Sequence, residues 1–498
     1  MAASRGDADG RQIDTEDGEQ QQEQQQRTVP RWFTPTRMLV LFCIINFIVY
    51  LDRGVIASNG VNGHAANPDK GIKPEGVIGA FDLSYFEDGA LQSAFMVGLL
   101  VGSPTFAELS KYRSAFRLLG VGLAAWMLST ASCGAAVSFP MLLTSRMFVG
   151  LGEASFCSLA APFIDDYAPP NLKSTWLAGF YAMIPVGVAC GFIYGGVIGS
   201  QLGWRFAFWL EAAAMVPFTA FCFVAKPVPL GGSTGGTSTT HLSSGEDAGS
   251  WEYTREFFKD IRIVLGSQVF ALAAFGYSMY CAVIGVYGFF GPQAGKDIFD
   301  MQEADYVFGA ITVVTGIGGT FMGGRVLDAC GSTIANGMLV SSVFAAAGFA
   351  LLTVAFQLQS LTGFIIMFGL GECMIFALQA PVVAVAMWCV PTRLRAVSMG
   401  VITVLIHVCG DVPSPILTGY LKDRLDHVHD DDAGNWRIAL SIVTGLLAIA
   451  TIAFGAAAYV GRFAPDYRNE LKDAQAAPNP PDLSTVNSPE EPLLTSQG

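Results

Sequence analysis

The run MLVLFCIINFIVYLDRGVIASN, residues 38–59, decides the fold. From Met38 to Leu51 its polar groups are the Asn46 amide and the Tyr50 phenol. Such a run suits a helix crossing about 30 Å of hydrocarbon at about 1.5 Å per residue. Asp52 and Arg53 then interrupt it before it ends. A charge at the centre of a membrane helix costs about 2.5–3.5 kcal/mol on insertion scales, so it persists where a partner or water offsets that cost.

Working outward, eleven similar runs follow, at 89–109, 116–137, 140–166, 175–200, 205–225, 267–290, 305–327, 334–357, 361–388, 396–420 and 437–460. The expectation is an all-α membrane protein of about twelve spans, a secondary transporter. Composition agrees: 52% of the 498 residues are hydrophobic and 14% charged, against roughly 25% charged in soluble proteins. The 56 glycines suit close helix packing in lipid. The net charge of −13 comes mostly from acids in tails and loops, and no basic stripe points to nucleic acid. Ten cysteines without CxxC or metal spacing, many inside apolar runs, read as small packing residues. No cofactor and no metal site is expected.

An even number of spans puts both termini on one side. Of the 28 Lys and Arg residues, 19 fall on that side and 7 on the other, while Arg53 and Arg146 lie within spans. The positive-inside rule makes the termini cytosolic. Residues 1–37, polar and Gln-rich, read as a disordered cytosolic tail without a signal peptide, and 462–498 as a second tail. Residues 226–266 separate two halves, 38–225 and 267–461. This linker opens with GGSTGGTSTTHLSSG, a flexible composition. It continues with WEYTREFFKDIRIVLG, where Trp251, Phe257, Phe258, Ile261 and Leu265 can share a face. That pattern fits either an in-plane surface helix or the amphipathic start of span seven.

A repeat supports the six-plus-six division. Gly150–Glu153 and Gly369–Glu372 both read GLGE, and each Glu precedes a proline, Pro162 or Pro381, by nine residues. Pro170 likewise precedes Gly179 by nine, as Pro391 precedes Gly400. Repeated halves about a central site are the usual build of secondary carriers.

Intramembrane charges supply the candidate site. Asp52 lies roughly 21 Å from the start of its span, and Arg146 comes to roughly the same level on span four, descending from the other side. Glu153 is two turns further along the Arg146 face. Asp52, Arg146 and Glu153 form the proton-coupling set. In one reading Asp52 exchanges a proton while Arg146 alternates between it and an anionic substrate. In the other the charges are permanent ion pairs that orient helices. Tyr50, Arg53, Tyr181, Glu372, His407 and Asp411 are cavity candidates. His407 and Asp411 are four apart and share a face. Glu211 sits nearer the rim of span six and carries less weight.

These residues resemble the Spinster family of the major facilitator superfamily. The resemblance rests on NFIVYLDRG, LQSAFMVGLLVGSPTF, RMFVGLGEASF, FYAMIPVG, LGECMIF with PTRLRA, and IHVCGDVPSPILTGYLKD, spread over about residues 40–420. It implies two six-helix bundles rocking about a central cavity. It also implies lipid-like cargo, lysophospholipids or sphingoid phosphates, on plasma or endolysosomal membranes. The family's span-one acid maps to Asp52, and its span-four Arg and Glu map to Arg146 and Glu153. The superfamily's Gly-x-x-x-Asp-x-x-Gly gating loop departs after span two, where Ala107, Lys111 and Ser114 stand, with Glu108 close by. After span eight it is intact, with Gly324, Asp328 and Gly331. The segment 60–88 reads as a solvated acidic insertion, with a lid as the alternative. The C-terminal EEPLL resembles an acidic dileucine sorting signal, but Pro489 breaks its spacing.

The expected function is a proton-linked carrier, a monomer whose partners are a small amphipathic or anionic substrate, protons and membrane lipids. A small organic anion or sugar derivative is the alternative cargo. Two other classes compete: an intramembrane enzyme built on His407 and Asp411, and a non-transporting receptor.

Overall fold

Among the described residues, twelve helices are long and apolar enough to span a membrane. In the computed structural model, residues 33–66, 73–110, 113–169, 172–226 and 250–467 are described. The N-terminal residues before Phe33, the Gly/Ser-rich start of the linker, Lys111 and EEPLL lie outside them.

The twelve spans are α1 Pro35–Ala57, α2 Tyr85–Leu109, α3 Ala115–Gly134, α4 Phe139–Ile164, α5 Gly179–Leu202, α6 Trp204–Val224, α7 Gln268–Phe299, α8 Ala304–Ala329, α9 Ile334–Gln357, α10 Leu361–Trp388, α11 Val397–Asp426 and α12 Asp432–Gly461. The first six pack as one bundle and the last six as another. The two meet chiefly where α2 lies along α11 and α5 along α8.

Local chemistry sets the helix ends. α2 begins four residues earlier than expected because Ser84 and Glu87 form a capping box: the Glu87 N–H donates to Ser84 Oγ and the Ser84 N–H to Glu87 Oε2. α10 breaks at Leu378, where Pro381 has no N–H for the Ala377 carbonyl. α11 carries a π-helical turn at His407–Asp411, just before Pro413 and Pro415, a geometry common at functional sites.

One sequence expectation changes, and one pair of alternatives is decided. The segment 60–88, of which 67–72 lie outside the described residues, is not a wholly solvated insertion: Val61, Val77 and Ile78 are buried. A bridge between His64 and Glu75 and the short helix Gly76–Phe81 fold the segment back. The amphipathic stretch is a separate helix, Ser250–Gly266, ended before the Ser267 cap of α7. It buries Val264, exposes Phe258 and Leu265, and pairs Asp260 with Arg393 at 3.5 Å.

Polar links between the bundles gather on the face away from the termini. Asp423 of α11 accepts the Tyr85 and Phe86 N–H groups, each at 2.9 Å. Asp305 of α8 accepts both the Asn59 N–H and its side-chain amide at 3.0 Å. Asn62 donates across the boundary to Gln293 of α7 at 3.5 Å and, within its own bundle, to Asp88 at 3.0 Å. Nearer mid-membrane, Ser93 Oγ donates to the Val412 carbonyl at 2.6 Å. These links join the two bundles on this distal face.

Candidate functional site

α1 and α4 cross where both carry charge. Asp52 and Arg53 are adjacent, so they point about 100° apart around α1. Each finds its partner on α4, at two positions seven residues apart. Arg146 Nη1 donates to Asp52 Oδ1 at 2.9 Å and to Oδ2 at 2.7 Å. Arg53 Nε donates to Glu153 Oε1 at 3.1 Å, and its Nη2 meets the same oxygen. The result is a double ion pair, two acids and two guanidiniums, formally neutral. Neutrality matters, since an uncompensated charge here would bear the full desolvation cost.

The two pairs differ in access. Asp52 and Arg146 are completely buried, whereas the Arg53 side chain is 17% exposed against a buried Glu153. Phe95 of α2 stands beside both guanidiniums, 4.9 Å from Arg53 and 5.2 Å from Arg146. Tyr50 covers Arg53 from its own helix at 4.6 Å. Such rings stabilise a desolvated cation.

Small residues make the crossing possible. A Cβ on Gly98 of α2 would stand 1.9 Å from the Met147 carbonyl oxygen of α4, and one on Gly150 would stand 1.9 Å from that of Phe95. Only glycine at both positions lets α2 and α4 approach so closely.

The second-bundle candidates stand apart from this cluster. His407 Nδ1 and Asp411 Oδ2 pair with each other at 2.9 Å across the π-helical turn. Glu372, the repeat counterpart of Glu153, accepts from Thr315 of α8 at 3.2 Å. The counterpart of Arg146 is Ile365, so the second bundle lacks the double pair. Tyr181 is half exposed, edge-on to Phe180. At the end of α8, Gly324 has open space beside it and Asp328 accepts from Ser332 Oγ at 3.1 Å, and just beyond it Gly331 has a φ of 93°.

Sequence reading did not single out Phe95, and it discounted Glu211, whose side chain is buried in α6. Phe95 lies seven residues before Gly102 and three before Gly98 in a small-residue stripe. That stripe was the available signal that this face of α2 approaches another helix.

Twelve spans in two bundles, with charges buried at a helix crossing in one of them, describe a multi-pass membrane carrier. The chain matches the Major Facilitator Superfamily over residues 42–411. It is 43% identical to the probable sphingolipid transporter spinster homolog 2 of Arabidopsis thaliana, covering 93% of each chain. Protein spinster of Drosophila melanogaster is 27% identical over 80% of this chain and 63% of its own. Among solved structures, a bacterial homolog of the human lysosomal transporter Spinster, inward-facing and unoccupied, superposes with a TM-score of 0.70. Its identity is 18%, over 86% of this chain and 98% of that one. The chain therefore belongs to the spinster family within the Major Facilitator Superfamily, a family of transporters and not of enzymes.

Proposed function

We propose that this protein is a proton-linked secondary carrier of an amphipathic anionic lipid, of lysophospholipid or sphingolipid type. The observation that carries the reading is the fully buried Asp52–Arg146 pair beside the partly exposed Arg53–Glu153 pair. Ionisable groups at membrane depth mark substrate and proton paths. The name borne by the plant relative supports the cargo class.

On this reading the two pairs divide the labour. Arg146 is sealed, so an anionic headgroup meets Arg53, the guanidinium of the cluster with exposed surface. Its acyl chain lies along Tyr50, Tyr181 and neighbouring apolar walls. Asp52 takes up a proton and loosens Arg146; Glu153 is freed when the headgroup takes Arg53. His407, Asp411 and Glu372 line the second bundle's side of the path. The units 38–225 and 267–461 rock against each other, with the 226–266 linker and both termini cytosolic. The distal closure is then an inward-facing state, and the intact Gly324–Asp328–Gly331 loop locks the cytosolic face in the opposite one. The carrier works as a monomer in a plasma or endolysosomal membrane.

The test is uptake of a radiolabelled sphingoid-base phosphate and a lysophospholipid into proteoliposomes under a pH gradient. Asp52→Asn and Arg146→Ala should each lower pH-driven uptake at least about tenfold, the equivalent of about 1.4 kcal/mol. Unchanged uptake in both variants would overturn the mechanism. Lipids that neither move nor compete, beside a small organic anion that does, would overturn the cargo.

A further inference from the structure

One buried acid has no role in the scheme above. Glu211 of α6 is 3% exposed, and neither carboxylate oxygen has a hydrogen-bond partner among the described residues. Arg146 is its complement: Nη1 serves Asp52, the Cys133 thiol lies beside the guanidinium, and Nε and Nη2 are buried with no oxygen acceptor among the described residues. The two residues lie at one depth. Both α4 and α6 start on the distal face, at Phe139 and Trp204. Arg146 and Glu211 are each seven residues in, roughly 10 Å.

Polar groups of four other helices of the bundle act on Glu211 or feel its charge. It interacts electrostatically with Asp52 of α1 and Arg146 of α4. Cys133 of α3 and Tyr194 of α5 also feel it. Tyr194 donates its hydroxyl to the Ala207 carbonyl at 3.0 Å. Arg146 is thus the one cation of that set, and Asp52 already holds it. An ionised carboxylate buried without a partner bears a far larger desolvation cost than the same group carrying a proton.

We propose that Glu211 is a second proton-binding acid that shares Arg146 with Asp52, the guanidinium swinging between them as the carrier changes state. In the arrangement seen here Asp52 is ionised against Arg146 and Glu211 holds the proton. In the exchanged arrangement Asp52 is protonated and the Glu211 carboxylate accepts from Arg146 Nη2 and Nε. One proton is gained by Asp52 and one lost by Glu211, so the cluster of two acids and one guanidinium stays neutral at each end. This rests on the proton-linked reading and adds a release site to it.

Infrared spectra of the full-length protein in nanodiscs test it across a pH titration. Wild type should show a protonated-carboxyl C=O band that is absent from Glu211→Gln. The same band should also vanish in Asp52→Asn, because the freed Arg146 lets Glu211 ionise. A spectrum unchanged in Glu211→Gln, or a Glu211 band that persists in Asp52→Asn, would overturn the proposal. Proteoliposome uptake separates it from the parent reading. Glu211→Gln keeps the side chain's shape and hydrogen-bonding capacity, so a structural role predicts an unchanged pH profile; the proposal predicts at least a tenfold loss of pH-driven uptake. Loss in Asp52→Asn with wild-type coupling in Glu211→Gln would sink the role of Glu211 alone. Uptake indifferent to pH in wild type would sink the proton-linked reading, leaving the infrared bands to decide Glu211.

Discussion

The Asp423 carboxylate, near the end of α11, accepts the Tyr85 N–H at the start of α2 at 2.9 Å, and its second oxygen accepts that of Phe86 at the same distance. A helix start has unsatisfied N–H groups and a partial positive charge, so an acid from the opposite bundle is a fitting clasp. Hydrogen bonds to charged groups contribute about 1.5–3 kcal/mol each. Asp423→Asn keeps one acceptor, turns an NH₂ toward the other donor and removes the charge. It should shift the closed-to-open ratio of the distal face at least about tenfold toward open, since 1.4 kcal/mol corresponds to that factor. Spin-label distances across the distal face read the shift. An unchanged distance distribution would refute the clasp.

The Arg53–Glu153 pair should behave as a coupled unit. Arg53→Ala strands a buried carboxylate, and breaking a buried pair from one side costs about 3–5 kcal/mol. Glu153→Ala leaves Arg53 with the Phe95 and Tyr50 faces and some exposed surface, so it should cost less. The double variant should regain at least half the loss of Arg53→Ala. Thermal unfolding of all four proteins in one detergent closes the cycle; additive losses would show that the charges do not stabilise each other.

Packing at the α2–α4 crossing makes a third prediction. A side chain on Gly150 collides with backbone oxygen, which cannot yield as a flexible side chain can. Gly150→Val should destabilise by about 1–3 kcal/mol, the usual cost of overpacking, and separate α4 from α2. Gly400, with open space beside it, is the control, and Gly400→Ala should leave the melting temperature near wild type. Equal melting of both variants would contradict the close approach.

The spans were legible because hydrocarbon thickness fixes how long an apolar run must be. Depth was legible for the same reason: counting residues from each span's end brings Asp52 and Arg146 to one level. Azimuth was not. Nothing in the sequence tells which way Arg53 turns around α1, so its pairing with Glu153 emerges only from the fold. Glu211 looked peripheral by its distance from the helix end, yet it is buried where α6 packs on α1, α3 and α5. The first loop looked solvated by its acids, while the burial of Val61, Val77 and Ile78 depended on which surface it folds against.

Lys422 shows the same limit at a helix end and gives the last prediction. By sequence it belongs to a loop beyond span eleven; in the structure α11 runs on to Asp426 and the lysine is fully buried. Its ammonium reaches Asp426 at 2.6 Å, meets Asp432 of α12, and lies 4.6 Å from the Tyr85 ring and 5.1 Å from that of Trp436. One cation therefore ties α11 to α12 and to α2 across the bundle boundary. Lys422→Met leaves two carboxylates facing each other. Both are a third or more exposed, so water screens part of the repulsion and the loss should fall below the about 3–5 kcal/mol of a fully buried pair. The sign of its pH dependence follows: protonating Asp426 or Asp432 removes the repulsion, so the deficit against wild type should shrink as pH falls and grow toward neutrality. Melting curves of wild type and Lys422→Met over an acidic-to-neutral series measure this. A deficit independent of pH would mean that Lys422 acts through packing of its stem against the two rings and not through its charge.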